Sequence, residues 1–274
     1  MATPKISDKD FEKLVNFLHD EYGINLAHKR VLIEGRLSNE IRKRGFSSYT
    51  AYLDTVYNDK SGTEIVSLLN KLTTNHTYFM REPEHYQFME KTFLPYIRSL
   101  KRPKKYVNVW SAGSSSGEEA YTTQMQMLEY FGAEASSWDT TIYASDISRN
   151  VLSKAEQGIY HADGMKNLDP SWVKKYFTPL ENDCFQVKPE LKKRVNFKVF
   201  NLMKPIPKPA VPYDLIFCRN VMIYFDMPTK IELVKRFYDV LAPGGYLFIG
   251  HAESIPRETT KYQYVQPAIY RKPL

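Results

Sequence analysis

Cysteine is nearly absent from this chain. Two residues in 274, Cys184 and Cys218, are too few for a disulfide framework and lack the spacing of a metal site. A reducing, cytoplasmic setting is therefore expected. No apolar run approaches the ~18 residues of a membrane span, so direct membrane insertion is not expected. The opening Met1-Ala-Thr-Pro-Lys5 is followed by no apolar region, and no secretion signal is read there. The six histidines are scattered without ligand spacing, and no metal is expected. Internal repeats and low-complexity segments are missing too. There is no G-x-G-x-x-G, which disfavours a nicotinamide enzyme.

What is present suffices for a core, with 43% apolar and 14% aromatic residues. The length suits one main domain with a smaller partner domain. A net charge of +7 favours an anionic partner, and on charge alone both nucleic acid and an acidic protein surface qualify.

Residues 1–73 read as a small all-helical domain. Ser7-Asp-Lys-Asp10 opens a capped helix whose apolar positions Phe11, Leu14, Val15 and Leu18 follow the 3.6 period. Further helices are read from Lys29 to Arg44, stopping at Gly45, from Ser47 onward, and from Gly62 to Leu72. Residues 74–105 form a connector that is polar and aromatic at first and ends in the basic, proline-broken Lys101-Arg-Pro-Lys-Lys105. From residue 106 to 274 strands alternate with helices: strands at 106–110, 140–145, 195–200, 213–218, 246–250 and 264–270, helices at 117–131, 148–156 and 228–241. That grammar predicts an α/β fold, a Rossmann-like parallel sheet with helices on both faces, whose last strand is free to run antiparallel. About forty residues, 157–194, break the alternation and carry several glycines and prolines. A structureless loop of that length is improbable, so an inserted small antiparallel β-subdomain is expected.

Tyr106-Val-Asn-Val-Trp-Ser-Ala-Gly-Ser-Ser-Ser-Gly-Glu-Glu-Ala-Tyr121 carries the strongest signal. A β-branched strand enters a small-residue turn and a helix begins at once, so backbone can approach a ligand and unpaired N–H groups face it. Glu118 and Glu119 on the first helical turn would repel phosphate. They suit a ligand with a cationic or hydroxyl-rich end, such as the amino group, sulfonium or ribose of S-adenosylmethionine. Asp146, at the end of the next strand, either caps the helix starting near Ser148 or takes two hydrogen bonds from a ribose diol. The turn at 112–117 favours the second. Arg219 and Asn220 arrive where strand 213–218 ends. Either they satisfy loop backbone or, with Tyr224, they line a ligand rim; the rim is preferred for Asn220 and Tyr224. Met222, Ile223 and Phe225 are read as core. Asn201-Leu202 ends another strand, where groups flanking an adenine sit. Asn75-His-Thr-Tyr-Phe-Met-Arg81 offers polar groups in the connector. In the second helix Lys29, Arg36 and Lys43 fall on one stripe, extended by Arg42 and Arg44, apart from the apolar face of Ile33, Leu37 and Ile41. Such stripes are commonly only solvated faces; here the stripe is kept as a docking candidate.

These motifs, in this order, resemble the CheR family, S-adenosylmethionine-dependent methyltransferases that esterify glutamate side chains of bacterial chemoreceptors. The resemblance rests on Leu72-Thr-Thr-Asn-His-Thr-Tyr-Phe-Met-Arg-Glu82, Trp110-Ser-Ala-Gly-Ser-Ser-Ser-Gly-Glu-Glu119, Ala144-Ser-Asp-Ile147 and Phe217-Cys-Arg-Asn-Val-Met-Ile-Tyr-Phe-Asp226, and it covers essentially the whole chain. It implies donor contacts from Asn75, Thr77, Arg81, Glu118, Asp146, Asn201, Leu202, Asn220 and Val221, with Arg81 and Tyr224 near the transferred methyl. His76 and Met80 stand where an apolar residue and a phenylalanine are common, and Ala120 where proline is frequent; none removes a contacting group. The resemblance further implies S-adenosylmethionine as donor, the cytoplasmic helical region of chemoreceptors as partner, and location at receptor arrays through protein contacts. In some members the β-subdomain docks a receptor's C-terminal pentapeptide. A monomer is expected. Two rivals were weighed. A nucleic-acid methyltransferase is disfavoured because Arg219-Asn-Val-Met-Ile-Tyr224 lacks the prolines that shape a flipped-base pocket. A donor-binding sensor or adaptor without transfer is disfavoured by Arg81 and Tyr224.

Overall fold

A computed structural model describes residues 5–73 and 76–274. The chain forms two compact units. One takes the chain up to His76 together with Tyr224–Lys230; the other takes Thr77–Ile223 and Ile231–Leu274.

The first unit is built on four helices, α1 (Asp8–Tyr22), α2 (Arg30–Lys43), α3 (Tyr49–Asn58) and α4 (Thr63–Leu72). Ser7 starts α1 by accepting the Asp10 N–H on its hydroxyl, and Ser48 does the same for Ala51 on α3. Gly23, at φ 71°, ends α1 in the left-handed conformation that glycine adopts without steric cost. The buried faces are those the spacing predicts: Phe11, Leu14, Val15 and Leu18 on α1, Ile33, Leu37 and Ile41 on α2, Ile65, Leu68, Leu69 and Leu72 on α4. Each fully buried Leu or Ile contributes roughly 1.5–3 kcal/mol. The segment 224–230 is tied in by backbone. Ile24 bridges Phe225 antiparallel, and the Asn25 N–H donates to the Tyr224 carbonyl at 2.8 Å.

The second unit begins with α5 (Pro83–Phe88), a π-helical turn over Met89–Phe93, and α6 (Leu94–Ser99). Sequence periodicity did not announce this helical stretch. The π turn inserts an extra residue per turn and shifts the apolar phase, and Pro95 stands two residues past its end. Then come β1 (Val109–Ala112), α7 (Glu118–Phe131), β2 (Ile142–Asp146), α8 (Arg149–Gln157), β3 (Ile159–His161), α9 (Pro170–Tyr176), β4 (Phe177–Pro179), β5 (Cys184–Val187), α10 (Pro189–Lys192), β6 (Val195–Val199), β7 (Tyr213–Cys218), α11 (Met227–Val240), β8 (Leu241–Ile249), β9 (Gln263–Gln266) and β10 (Ile269–Arg271). Seven strands form one sheet in the order β6-β2-β1-β7-β8-β10-β9. The first five run parallel, and β10 lies antiparallel to both its neighbours. The expected last strand is thus a hairpin of two, turned at Ala268, whose φ is 64°. The first strand, expected over 106–110, runs instead over Val109–Ala112. The interval 157–194 is the expected inserted sheet, with order β3-β5-β4, antiparallel throughout, and it also carries α9 and α10.

One face of the large sheet packs Val109, Ile142, Leu215, Phe217 and Phe248 against Tyr86, Phe93, Tyr121 and Met125. Trp110 points to the other face, where Phe237 meets its ring edge-on, and its indole N–H donates to the Ser145 hydroxyl at 2.9 Å. The order reverses between β1 and β7, so the carboxyl ends of β1, β2, β6, β7 and β8 frame a crevice at the switch point.

In the first unit His19, on the last turn of α1, meets Asp20 at 3.1 Å and Asp226 at 2.9 Å, one carboxylate on each ring nitrogen. The hydrogen bond to Asp20 and then that to Asp226 raise its pKa above 6.5. A raised pKa in the folded state stabilises below the unfolded value and is lost as pH rises through the folded value. The stability gap between wild type and His19→Gln, read by urea unfolding, should therefore be widest near about pH 5.5 and shrink toward about pH 8.5. An NMR titration placing His19 at or below its ordinary value would contradict this.

Candidate functional site

The turn after β1 is held by its neighbour strand: the N–H groups of Gly113 and Ser114 both donate to the Ser145 carbonyl at 2.8 Å. Glycine is required at two places. A Cβ on Gly113 (φ 81°) would lie 2.5 Å from Val221 Cγ2, and one on Gly117 (φ 94°) would lie 2.8 Å from Ala155 Cβ. Beside this turn Asp146 accepts the Ser115 N–H on one oxygen and the Ser148 N–H on the other, each at 2.9 Å. The side-chain cap of α8 is Ser148 itself. Asp146 thus fastens the turn to the neighbouring strand end. A carboxylate has about four acceptor positions, so two remain for a diol. Burial pushes its carboxyl up, and the backbone N–H groups pull it back.

Glu118 opens α7, and the Ser116 hydroxyl reaches both of its oxygens, at 3.0 and 2.8 Å. Burial raises its carboxyl above the usual range, against Ser116 and Lys154. The turn therefore offers close backbone approach and two carboxylates, Glu118 and Asp146. A ligand with a ribose and an ammonium or sulfonium fits these groups; a pyrophosphate does not.

Arg219, at the end of β7, organises the opposite wall. Its Nε donates to Glu82 Oε2 at 3.1 Å, its Nη1 to Glu119 Oε2 at 3.2 Å and Tyr86 OH at 3.4 Å, and its Nη2 to the Arg81 carbonyl. Burial disfavours its charge, but Tyr86, Glu119 and Glu82 more than restore it and hold the guanidinium protonated. The second oxygen of Glu119 accepts the Ser111 hydroxyl at 2.7 Å. Burial raises Glu82 in turn, yet Arg219 and the His251 N–H outweigh it and leave the carboxyl below its usual range. Next to Arg219, Asn220 adopts φ 59°, its side-chain amide 3.4 Å from Glu82 Oε1. Met80, Glu82 and Ser115 are also left-handed. Asparagine adopts this conformation readily, but the other three, on the segments after β1 and before α5, are outliers of the kind that gather at functional sites.

Of the residues anticipated from sequence, Thr77, Arg81, Glu118, Asp146, Asn201, Leu202, Asn220 and Val221 all belong to the second unit. Asp146 is the last residue of β2, Asn220 and Val221 follow β7, Glu118 opens α7 beyond the turn after β1, and Asn201-Leu202 lies just past β6. Arg81 joins them through its carbonyl. Asn75 lies outside the described residues. Tyr224 belongs to the first unit, where its carbonyl accepts the Asn25 N–H. Met222 and Phe225 are buried as expected, but Ile223 is 45% exposed, contrary to the core reading. The 3₁₀ turn over Met222–Tyr224 rotates successive side chains by about 120°, so its neighbours cannot all face inward.

In the first unit Lys29, Arg36, Arg42, Lys43 and Arg44 are all exposed. Arg36 also donates to the Leu72 carbonyl at 2.8 Å, and Arg44 forks onto Glu64 at 2.6 and 2.9 Å. Two of the five therefore also brace the helices.

Sequence reasoning read Glu119 with Glu118 as facing a ligand, whereas both Glu119 oxygens are taken by Ser111 and Arg219. It passed over Glu82, Arg219 as an organiser, and Glu253. Their common signal is a charged residue just beyond a buried apolar strand or beside a motif, which marks position without naming the partner. It also missed that Glu82, His85 and His251 bring ligand-type atoms within 4.8 Å of one another. His85 is fully buried, and burial followed by the charges of Arg219 and His251 lowers its pKa to about 2. Glu82 already serves Arg219, Asn220 and the His251 N–H, so a cation there would compete with a guanidinium for the same carboxylate.

The family of the CheR methyltransferase, SAM binding domain, matches residues 75–270, and that of the CheR methyltransferase, all-alpha domain, matches residues 9–73. The chain is 40% identical to a chemotaxis protein methyltransferase of Borreliella burgdorferi over 271 residues, 97% of this chain and 95% of that one. Proteins of the same description from Klebsiella aerogenes and Escherichia coli are 36% and 34% identical over 269 residues, covering 97% of this chain and 90% and 91% of theirs.

Replacing Arg219 with Met should leave Glu119 and Glu82 buried without their cation. Breaking such a buried network costs about 3–5 kcal/mol. Urea unfolding of Arg219→Met should show a loss of that order, and a loss under about 1 kcal/mol would mean that the network contributes no more than an exposed pair.

Proposed function

The chain belongs to the CheR methyltransferase family and is an S-adenosylmethionine-dependent methyltransferase of chemotaxis, and on that premise we propose that its methyl acceptors are glutamate side chains of chemoreceptors. The observation that carries the donor side is the glycine turn closed by Gly113 and Gly117 with Glu118 and Asp146 beside it. In this reading Asp146 takes the ribose hydroxyls, Glu118 the cationic end, and Asn75, Thr77, Arg81, Asn201, Leu202, Asn220 and Val221 complete the donor contacts.

A glutamate carboxylate is ionised at neutral pH, so the reaction requires no general base. When bound, S-adenosylmethionine supplies a methyl already activated by its sulfonium. Its carbon passes to the carboxylate oxygen as the C–S bond breaks, leaving a glutamyl methyl ester and S-adenosylhomocysteine. What the protein adds is alignment, which can supply up to about 7–11 kcal/mol. Arg81 is assigned to hold the acceptor carboxylate through charge-assisted hydrogen bonds. Tyr224 is assigned to steer the same carboxylate or to face the sulfonium with its ring. The exposed cations Lys29, Arg36, Arg42, Lys43 and Arg44 are the proposed contact with the receptor's acidic helical surface. The edge strands β3 and β4 of the inserted sheet are the proposed dock for a receptor's C-terminal pentapeptide, by strand addition. The chain is proposed to act as a monomer, at receptor arrays on their cytoplasmic side. Among the described residues no helix is long and apolar enough to cross a membrane.

Incubation with tritium-labelled S-adenosylmethionine and receptor-bearing membranes should leave label on the receptor that base releases as methanol; base-stable label would exclude a glutamyl ester. Tyr224→Phe should lower turnover more than donor affinity, and unchanged turnover would remove Tyr224 from the chemistry. Arg81→Ala should weaken both. Receptor binding should fall steeply with ionic strength, and a flat salt titration would dismiss the basic face as the docking surface.

A further inference from the structure

We infer that Glu253 is a positioning residue for the methyl-donor site: its buried carboxylate sets the backbone of Asn220 and Val221 by gathering N–H groups from the ends of two strands. The inference rests on the reading of Asn220 and Val221 as donor contacts.

Glu253 lies four residues beyond β8 and is 7% exposed. Its Oε2 accepts the N–H of Asn220 at 3.0 Å and of Gly250 at 2.6 Å, and its Oε1 accepts the N–H of Ile223 at 3.0 Å. Its own N–H donates to the Gly250 carbonyl at 2.9 Å, so the turn after β8 folds the carboxylate back onto the turn after β7. These backbone dipoles oppose the burial that pushes the carboxyl up.

What the carboxylate holds is a left-handed turn. Asn220 has φ 59°, a conformation asparagine adopts more readily than other non-glycine residues, and the hydrogen bond to its N–H helps fix it there. The packing is equally strict. A Cβ on Gly250 would lie 2.5 Å from the Asn220 side-chain nitrogen and 2.9 Å from its backbone nitrogen, and a Cβ on Gly113 would lie 2.5 Å from Val221. The Asn220-Val221 dipeptide is therefore fixed by Glu253 through its N–H, by Gly250 at close approach, by Gly113 across the crevice and by Glu82 at its side chain.

The chemistry asks for a carboxylate in particular. Three N–H groups divide between two oxygens, and a glutamine has only one acceptor oxygen. Whichever way that amide is turned, its NH₂ opposes at least one backbone N–H. An aspartate is one methylene shorter and cannot span both strand ends.

The test compares wild type, Glu253→Gln, Asn220→Ala and the double variant by calorimetric titration with S-adenosylhomocysteine, with thermal unfolding to score the folded fraction. Asn220→Ala should weaken binding, Glu253→Gln should weaken it by about tenfold or more in protein that is still folded, and the double variant should lose less than the two single losses combined, because part of what Glu253 does passes through Asn220. A merely structural role would lower the melting temperature and leave the affinity of folded molecules unchanged, which would overturn the inference. So would full additivity in the double variant, since Glu253 would then act through something other than Asn220. Unchanged binding by Asn220→Ala would instead show that the donor-contact reading is at fault, and the inference would fall with it. Should Glu253→Gln not fold, Gly250→Ala displaces Asn220 directly with the carboxylate intact, and it should weaken binding equally; wild-type affinity in that variant would count against the inference.

Discussion

A single buried guanidinium holds the donor-binding half of this protein in order. Arg219 ends the central strand β7 and there meets a carboxylate from the connector (Glu82), a carboxylate from the first turn of α7 (Glu119), a phenol from α5 (Tyr86) and a backbone carbonyl (that of Arg81). The stretch from Thr77 to Glu82, ahead of α5, lies in no helix or strand, and two of its residues, Met80 and Glu82, are left-handed. Arg219 restrains it through the Arg81 carbonyl and the Glu82 carboxylate. Replacing such a network with apolar side chains is often neutral for stability. It would not place a polar wall at a ligand crevice.

Glu253 does the complementary work with the opposite charge. Arg219 gathers acceptors, and Glu253 gathers donors, from the adjacent end of β8. Between them the short segment Arg219-Asn-Val221 is fixed at its side chain and its backbone. Glu119, which the turn sequence presents as a twin of Glu118, is drawn into this frame and not toward the ligand face. Two consecutive carboxylates thus divide into one that pairs with Arg219 and one that stands beside the glycine turn, met by Ser116. A methyltransferase whose donor carries a methyl already activated by its sulfonium has little covalent chemistry to perform, so rigidity of this kind is what its residues contribute.

Much of this architecture was legible beforehand, for stated reasons. The apolar spacing of Phe11, Leu14, Val15 and Leu18 has one solution, a helix with a buried stripe, and α1 is that helix. Asp214-Leu-Ile-Phe-Cys218 is a short apolar run before polar residues, and it is a buried strand opening on the crevice. The stretch from Pro83 to Ser99 was not legible, because a π turn breaks the period on which such readings depend. Ile223 was misread for a related cause: apolar character marks a residue that prefers burial, but the turn geometry decides which of three neighbours obtains it.

The chain's own chemistry determined the element types, the glycine turn, the strand-end residues and the family to which they belong, because period, small-residue turns and charge placement are local properties. Tertiary structure alone decided which carboxylate pairs with which cation. Glu82 and Arg219 are separated by 137 positions and Asn220 and Glu253 by 33. No local rule relates residues so far apart; only the strand order, with β7 set between β1 and β8, brings their ends to one crevice.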